Sequence, residues 1–302
     1  MSSLIVKLGA TGDVVRTTTL LHRLQGPVTW VTARPNETLL TGLAGAFRNL
    51  RVVLWDDRLA LSGETFDLTI NLEDDFQTAG ILDSVRSSRH FGAYVDRQGT
   101  MAYTDDARAW FEMSLISFHG RKKADELKFQ NRRSYQEIIF DALGWTFTSE
   151  KYVLPQTPPS PLRGDVAIAP EAGPVWPMKK WAYYDQLKAE LERRGLKVNV
   201  LPRRPTLLDH LADVRGHRCL VSGDSLPMHL ALGSDIPCVG LFNCTSPWEI
   251  HDYGILTKLI SPSLGEFFYR REFDARATTS IAFDDVLGAT IMALEHTQSR
   301  TT

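Results

Sequence analysis

The fold is decided by the stretch Leu4-Ile5-Val6-Lys7-Leu8-Gly9-Ala10-Thr11-Gly12-Asp13, which has a counterpart in Cys219-Leu220-Val221-Ser222-Gly223-Asp224-Ser225. In both stretches a short apolar run leads into a turn that contains glycine, and a helix-like pattern follows. Each stretch predicts a strand-to-helix turn, where backbone N–H groups and the helix dipole favour a bound anion. Two such turns, one in each half of the chain, indicate two α/β halves that face one ligand.

Composition and charge indicate a soluble globular protein. The 302 residues are enough for two domains of ordinary size, and 43% of them are hydrophobic while 23% are charged. A net charge of −2 gives no overall bias toward nucleic acid or membranes. The three cysteines have neither metal-ligand spacing nor a paired framework, which fits a reducing cytoplasm. No uninterrupted apolar run comes near the roughly 18 residues of a membrane-spanning helix.

Strand and helix signals alternate along both halves of the chain, which favours parallel sheets covered by helices. In the first half, apolar runs predict strands at 4–8, 28–31, 52–55 and 68–72, and helical patterns lie at 14–24 and 36–43. Residues 105–144 are less regular and mostly helical. In the second half, strands are predicted at 166–169, 196–201, 218–221 and 238–242, and helices at 181–194, 207–214, 226–232 and 283–296.

The clearest boundary in the chain is Pro155-Gln156-Thr157-Pro158-Pro159-Ser160-Pro161. Its four prolines cannot extend a helix or lie in a central strand, so the segment predicts an extended connector. We therefore divide the chain into an N-terminal domain (1–154), a proline-rich linker (155–164), a C-terminal domain (165–281) and a final segment with the last helix (282–302).

The first turn carries a carboxylate, Asp13, at the predicted helix start. An aspartate in this position can cap the helix, or it can act as a base that takes a proton from an acceptor hydroxyl. Gly9 and Gly12 permit close approach of a ligand to the backbone. Their spacing matches neither a dinucleotide-binding fingerprint nor a Walker loop.

The second turn offers an anion site. Asp224 or Ser225 can cap the following helix, and free amides near Ser225 suit a phosphate. His229 lies one turn into that helix, where it is either structural or a hydrogen-bond donor to phosphate. Lys179 precedes another predicted helix, where it is either a surface lysine or a flexible point charge for a diphosphate.

Four segments together resemble glycosyltransferase family 9, the ADP-heptose:lipopolysaccharide heptosyltransferases, and they occur in that family's order. Lys7–Thr18 resembles the N-terminal signature, Lys179–Trp181 the Lys-x-Trp before a helix, Ser222–Leu232 the Asp-Thr/Ser-Gly-x-x-His-Leu-Ala segment, and Gly240–Pro247 the Ala-Leu-Phe-Gly-x-Thr-x-Pro segment. Each segment alone is weak evidence, but together they cover most of the chain.

The resemblance implies a GT-B fold, in which two Rossmann-like domains face a central cleft. The segment 1–154 would take the acceptor, 165–281 would bind the nucleotide sugar, and the helix in 282–302 would pack back on the first domain. The implied reaction is an inverting, metal-independent transfer of a sugar, by family a heptose, from an ADP-type nucleotide sugar to a hydroxyl of a saccharide or glycosylated acceptor. No cofactor is implied beyond this substrate.

The resemblance also assigns roles to individual residues. Asp13 matches the proposed general base, and Lys179 with the Ser225 region would hold the diphosphate and stabilise leaving-group charge. Asp224 would face the donor sugar and His229 would support the phosphate site. The remaining predicted donor or phosphate contacts are Thr11, Gly12 and Leu226, and candidates for nucleotide contact are Arg203 and Arg204.

Two departures from the family pattern keep other functions open. Leu226 and Asn243 stand where the family usually has glycine. The alternatives are a catalytically silent protein that binds a nucleotide sugar, or an epimerase that consumes the donor without an acceptor. The basic stretch Arg121-Lys122-Lys123 is either a solvated helix face or a contact for an anionic acceptor or membrane surface. We expect a cytoplasmic protein with at most peripheral contact with the inner membrane, and no nucleic-acid partner.

Overall fold

The computed structural model describes residues 1–111 and 119–299. Within the predicted helical region 105–144, the part 112–118 therefore lies outside the described residues. The chain divides into two compact units, Met1–Gln156 and Thr157–Thr302. The division falls inside the proline-rich connector.

The first unit is built on a six-stranded sheet within the described residues, in the order β3-β2-β1-β4-β5-β6. Its strands are β1 (Ser3–Val6), β2 (Val28–Thr32), β3 (Leu50–Leu54), β4 (Thr65–Asn71), β5 (Arg86–Val95) and β6 (Met101–Tyr103). Its helices are α1 (Thr11–Thr17), α2 (Glu37–Thr41), α3 (Phe76–Ala79), α4 (Arg108–Phe111), α5 (Arg121–Gln130) and α6 (Tyr135–Ala142). All strand pairs are parallel except β5 with β6.

The position of β1 decides where the candidate site residues of the first unit lie. Every residue of β1 and β2 is buried, as expected for parallel strands that are covered on both faces. The strand order reverses between β1 and β4, so the loops that follow these two strands separate and open a crevice at the carboxyl edge of the sheet. The turn that leads to Asp13 follows β1 directly.

The second unit has a five-stranded parallel sheet within the described residues, in the order β11-β10-β9-β7-β8. Its strands are β7 (Gly164–Ala169), β8 (Val198–Val200), β9 (His217–Gly223), β10 (Cys238–Phe242) and β11 (Leu256–Ile260). Its helices are α7 (Tyr184–Arg193), α8 (Leu207–Arg215), α9 (Leu226–Gly233), α10 (Leu264–Phe267), α11 (Ala275–Thr279) and α12 (Phe283–Ser299). Here the strand order reverses between β7 and β9.

The last helix, α12, contributes to the core of the second unit through its buried side chains Val286, Ala289 and Ala293. They pack with residues of β9 and β10, and the indole Nε1 of Trp181 donates to the Ile281 carbonyl oxygen (2.9 Å) just before the helix. This apolar face of α12 therefore covers one side of the second sheet. The packing of this helix on the first domain, which the resemblance implied, stays a prediction.

Helix boundaries also differ from the sequence patterns. The helix predicted at 14–24 begins at Thr11, and after Thr17 it continues as a 3₁₀-helix over Thr18–His22. Asn36 holds the N-cap position of α2 but makes no side-chain capping hydrogen bond, and its Nδ2 donates to the Leu8 carbonyl oxygen (2.7 Å). The β5–β6 hairpin was not predicted, because the first half of β5 is polar and exposed and gives no strand signal.

Cys219 and Cys238 lie in β9 and β10 as small buried thiols, and Cys244 is buried as well. None of the helices in the described ranges is both long and apolar enough to cross a membrane.

Replacing Gly92 in β5 tests the close pairing of β4 with β5. Gly92 has φ +111°, and a Cβ there would lie 1.9 Å from the Asn71 carbonyl oxygen. We expect Gly92→Ala to lower the free energy of unfolding by about 3 kcal/mol, because left-handed strain adds to a backbone clash. The control is Gly99→Ala, where φ is +76° and nothing lies within 4 Å. Urea denaturation checks the pair, and equal losses would contradict the predicted clash.

Candidate active site

Asp13 lies in the first turn of α1, as its third residue. The N-cap position belongs to Ala10, so the interpretation of Asp13 as the helix cap is wrong. A carboxylate here still interacts favourably with the helix dipole. Thr11 and Gly12 precede it in the same turn and are half-buried.

The Asp13 carboxylate is paired but accessible. The Nη2 of Arg16 donates to Asp13 Oδ1, and the two residues lie three apart on one helix face. The Asp13 side chain is 33% exposed, whereas that of Arg16 is 11% exposed. The carboxylate can therefore reach a ligand at the carboxyl edge of the sheet while its counter-charge stays inside.

Glu73 holds the turn between β1 and α1. It follows β4, whose end lies beside the end of β1 because the Leu72 N–H donates to the Val6 carbonyl oxygen (3.0 Å). Three donors converge on Glu73 Oε1, namely Lys7 Nζ (2.9 Å) and the backbone N–H groups of Leu8 (2.6 Å) and Gly9 (3.3 Å). The carboxylate thus fixes the backbone that leads to Asp13 and neutralises the buried Lys7.

Tyr135, the first residue of α6, contacts two residues of α1. Its hydroxyl lies 2.7 Å from Thr17 Oγ1, and its ring lies 4.2 Å from the guanidinium carbon of Arg16. Burial, reinforced by the charge of Asp13, raises the pKa of the Tyr135 phenol above its usual value. The phenol therefore stays protonated and is not a base.

Sequence reasoning missed the roles of Glu73, Arg16 and Tyr135. Only one of the three left a usable signal: Lys7 inside an apolar strand pattern requires a buried partner, and the acidic run that follows β4 supplies it. The other two depend on α1 meeting α6, which a pattern of separate elements does not give.

The second unit brings three of the predicted residues together. Lys179 Nζ lies 3.0 Å from Asp224 Oδ2, and His229 Nε2 lies 3.9 Å from Asp224 Oδ1. Lys179 and Asp224 keep 18% and 14% of their side chains exposed, and His229 is buried. The cluster lies where β9 meets α9, beside the reversal between β7 and β9.

Close backbone contact holds Lys179 against this turn. A Cβ at Gly223 would lie 2.6 Å from the Lys179 carbonyl oxygen, so only glycine lets the two backbones approach this closely. Asn243, which follows β10, donates from Nδ2 to the Lys180 carbonyl oxygen (2.8 Å). The ends of β9 and β10 thus both position the lysine-bearing loop.

The N-terminus of α9 has no side-chain cap. Ser225 occupies the N-cap position, but its side chain makes no capping hydrogen bond and lies 3.0 Å from Ser222 Oγ instead. Half-buried Leu226 and then Pro227 begin the helix. A helix start without a side-chain cap leaves its first N–H groups to water or an anion.

The two candidate arginines differ in what they contact. Arg204 makes a two-point ion pair with buried Asp213, through Nε to Oδ2 (2.5 Å) and Nη2 to Oδ1 (3.0 Å). Arg203 keeps 90% of its side chain exposed and lies 3.6 Å from Glu171. The guanidinium of Arg204 is therefore committed inside the unit, and Arg203 is the better candidate for a ligand.

Cysteines and residue types that can ligate metals both occur in the part of the chain that the structure describes. Burial raises the pKa of the Cys244 thiol to about 12, so it stays protonated at neutral pH. Across residues 1–111 and 119–299, no group of three or more His, Cys, Asp or Glu side chains has the arrangement of a metal site.

No protein-family model matches the sequence, and no curated protein is detectably similar to it. Solved structures do match. A family 9 glycosyltransferase from Veillonella parvula has a TM-score of 0.62 at 15% identity, with 98% of this chain and 97% of that chain covered. The E. coli heptosyltransferase WaaC with ADP-2-deoxy-2-fluoro heptose has a TM-score of 0.59 at 14% identity, with 89% and 96% covered.

A third match is the heptosyltransferase TibC from enterotoxigenic E. coli, which is dodecameric and iron-containing and was solved with ADP-D-β-D-heptose. Its TM-score is 0.60 at 12% identity, with 98% of this chain and 77% of that chain covered. The matches agree on the architecture of two mostly parallel sheets flanked by helices. The chain therefore has the α/β fold of the GT-B heptosyltransferases, as the sequence predicted.

Proposed function

We propose that this protein is an inverting glycosyltransferase that moves a sugar, in our view a heptose, from an ADP-type nucleotide sugar to a hydroxyl of a saccharide or glycosylated acceptor. The observation that carries the proposal is Asp13, an accessible carboxylate fixed at the carboxyl edge of the first sheet. A fold shared with heptosyltransferases supports it.

The donor diphosphate is proposed to bind in the second unit. Lys179 would give one charge-assisted contact, and the N–H groups at the start of α9 near Ser225 would give others. Asp224 would turn from Lys179 toward the donor sugar, with His229 behind it. The ADP and heptose in the WaaC and TibC structures favour an ADP-type donor here, with Arg203 beside the nucleotide.

The proposed reaction is a single displacement. The acceptor oxygen attacks the anomeric carbon as Asp13 takes its proton, and the bond from that carbon to the diphosphate oxygen breaks. Attack from the face opposite the leaving group inverts the anomeric configuration. The charge that develops on the diphosphate would be stabilised by Lys179 and the α9 amides, so the step is proposed to need no metal.

The acceptor is proposed to bind the first unit beside Asp13, and Thr11 and Gly12, which precede Asp13 in the same turn, stay proposed donor or phosphate contacts. The exposed basic residues Arg121-Lys122-Lys123 in α5 offer a positive face for an anionic acceptor or for the surface of the inner membrane. We propose a cytoplasmic location and no nucleic-acid partner.

A thermal-shift panel of nucleoside diphosphates tests the donor site. We expect ADP at about a hundred times its dissociation constant to raise the Tm by several degrees, because binding to the folded state adds roughly 2.7 kcal/mol.

By calorimetry, Lys179→Ala should weaken ADP binding about tenfold, as for the loss of a charge-assisted hydrogen bond. Lys188→Ala on α7, which removes a pair with Glu192, is the control. Equal ADP affinity in the Lys179 variant would refute its role.

The backbone approach at Gly223 gives a second test of the same site. We expect Gly223→Ala to stay folded and to weaken ADP binding about tenfold, because the added Cβ pushes the Lys179 carbonyl away and moves the lysine. The control is Gly173→Ala, in the loop between β7 and Lys179. A Cβ at Gly173 meets nothing within 4 Å, so this variant should leave the ADP affinity unchanged. Unchanged binding in both variants would show that the position of Lys179 does not matter.

The base assignment is tested at Asp13. We expect Asp13→Asn to fold and to bind ADP like the wild type, but to transfer sugar about 10²- to 10⁴-fold more slowly, because no base accepts the hydroxyl proton. The matched control is Asp57→Asn, an exposed carboxylate of the same unit. Unchanged turnover in Asp13→Asn would refute the assignment. Donor binding by a wild type that transfers to no acceptor would favour the binding-protein alternative.

A further inference from the structure

Arg16 is a largely buried cation with its charge directed at Asp13. Its side chain keeps only 11% of its surface exposed, and its Nη2 donates to Asp13 Oδ1. A guanidinium withdrawn from water to this degree is costly unless an opposite charge and a well-matched surface compensate it. Asp13 supplies the charge, and the Tyr135 ring supplies the surface at 4.2 Å from the guanidinium carbon.

Tyr135 is itself held rigidly. Its hydroxyl lies 2.7 Å from Thr17 Oγ1, and Thr17 Oγ1 also lies 2.7 Å from the Asp13 carbonyl oxygen, to which it donates. The ring meets the Trp110 ring edge-to-face, with centroids 4.4 Å apart and an interplanar angle of 85°. The platform under Arg16 is therefore fixed both to α1 and to α4.

A second charged pair near the turn is formed by Lys7 and Glu73. Lys7 and Glu73 neutralise each other at 2.9 Å, and Glu73 also receives two backbone N–H groups. The backbone of the turn is thus fixed by Glu73, while the carboxylate of Asp13 is held by a separate contact.

We propose that Arg16 is a positioning residue that holds the Asp13 carboxylate, ionised and in one rotamer, with Tyr135 as its platform; this inference rests on the proposed function. A base displaced by about 1 Å loses on the order of 10²-fold in rate, so a fixed rotamer matters.

Substitutions of Arg16 separate positioning from a structural role. We expect Arg16→Gln to lower kcat about 10- to 100-fold with ADP affinity unchanged. Arg16→Lys should restore part of the rate, and added guanidinium ion should raise the rate of Arg16→Ala. The control is Arg58→Gln, because Arg58 also lies 4.2 Å over an aromatic ring, that of Trp55. A kcat within twofold of wild type in Arg16→Gln, or no rescue by lysine or guanidinium, would overturn the inference.

The platform is tested with a matched pair at Tyr135. Tyr135→Phe keeps the ring and should retain a kcat within a few-fold of wild type, whereas Tyr135→Leu removes the ring face and should fall toward the kcat of Arg16→Gln. A rate in Tyr135→Leu equal to that of Tyr135→Phe would remove Tyr135 from the inference.

A double-mutant cycle measured by Tm tests the Asp13–Arg16 pair without an activity assay. We expect Asp13→Asn and Arg16→Gln each to lower the Tm, and the double variant to lose clearly less than the sum. Additive losses would refute the Asp13–Arg16 coupling. If the Tm losses of the variants are coupled but the wild-type protein transfers no sugar, the proposed function is refuted and the Asp13–Arg16 pairing stands. The two failures are therefore distinguishable.

Discussion

The structure depends on one constraint, the reversal of strand order beside the first strand of each sheet. The loops after β1 and β4 leave the first sheet in opposite directions, and those after β7 and β9 do the same in the second. A crevice opens at each reversal because no crossing helix can cover both loops. Asp13 and Glu73 lie at the first reversal, and Lys179 and Asp224 lie at the second.

Opposite charges are paired at both reversals. The pairs are Asp13 with Arg16, Lys7 with Glu73, and Lys179 with Asp224. Pairing lets charged groups remain in a partly desolvated edge of a sheet, where a lone charge would be costly. It also means that an anionic ligand at Lys179 competes with Asp224. Binding of an anion there would exchange one ion pair for another rather than create a new one. The affinity for a nucleotide would therefore have to come largely from the N–H groups at the start of α9 and from the nucleotide base.

Much of the site could be predicted because its residues follow strands directly. Asp13, Asp224 and His229 were located from glycine turns after predicted strands, and Lys179 from its place before a predicted helix. The structure brings Lys179, Asp224 and His229 together. Of the two alternatives for Asp13, the helix cap is wrong because α1 starts a turn earlier than its apolar pattern does. The sequence pattern did not predict that α12 joins the core of the second unit, since an apolar face shows that a helix packs but not which sheet it covers.

The sequence by itself determined the class of fold, the two turns and the residue types at them, because strand and turn signals are local. Only the tertiary structure decided which side chains meet. Arg16 finds its platform in Tyr135, 119 positions further along (135 minus 16), and Lys7 finds its counter-charge in Glu73 after β4. Such contacts are set by strand order and helix packing, and these depend on the whole core rather than on any stretch of chain.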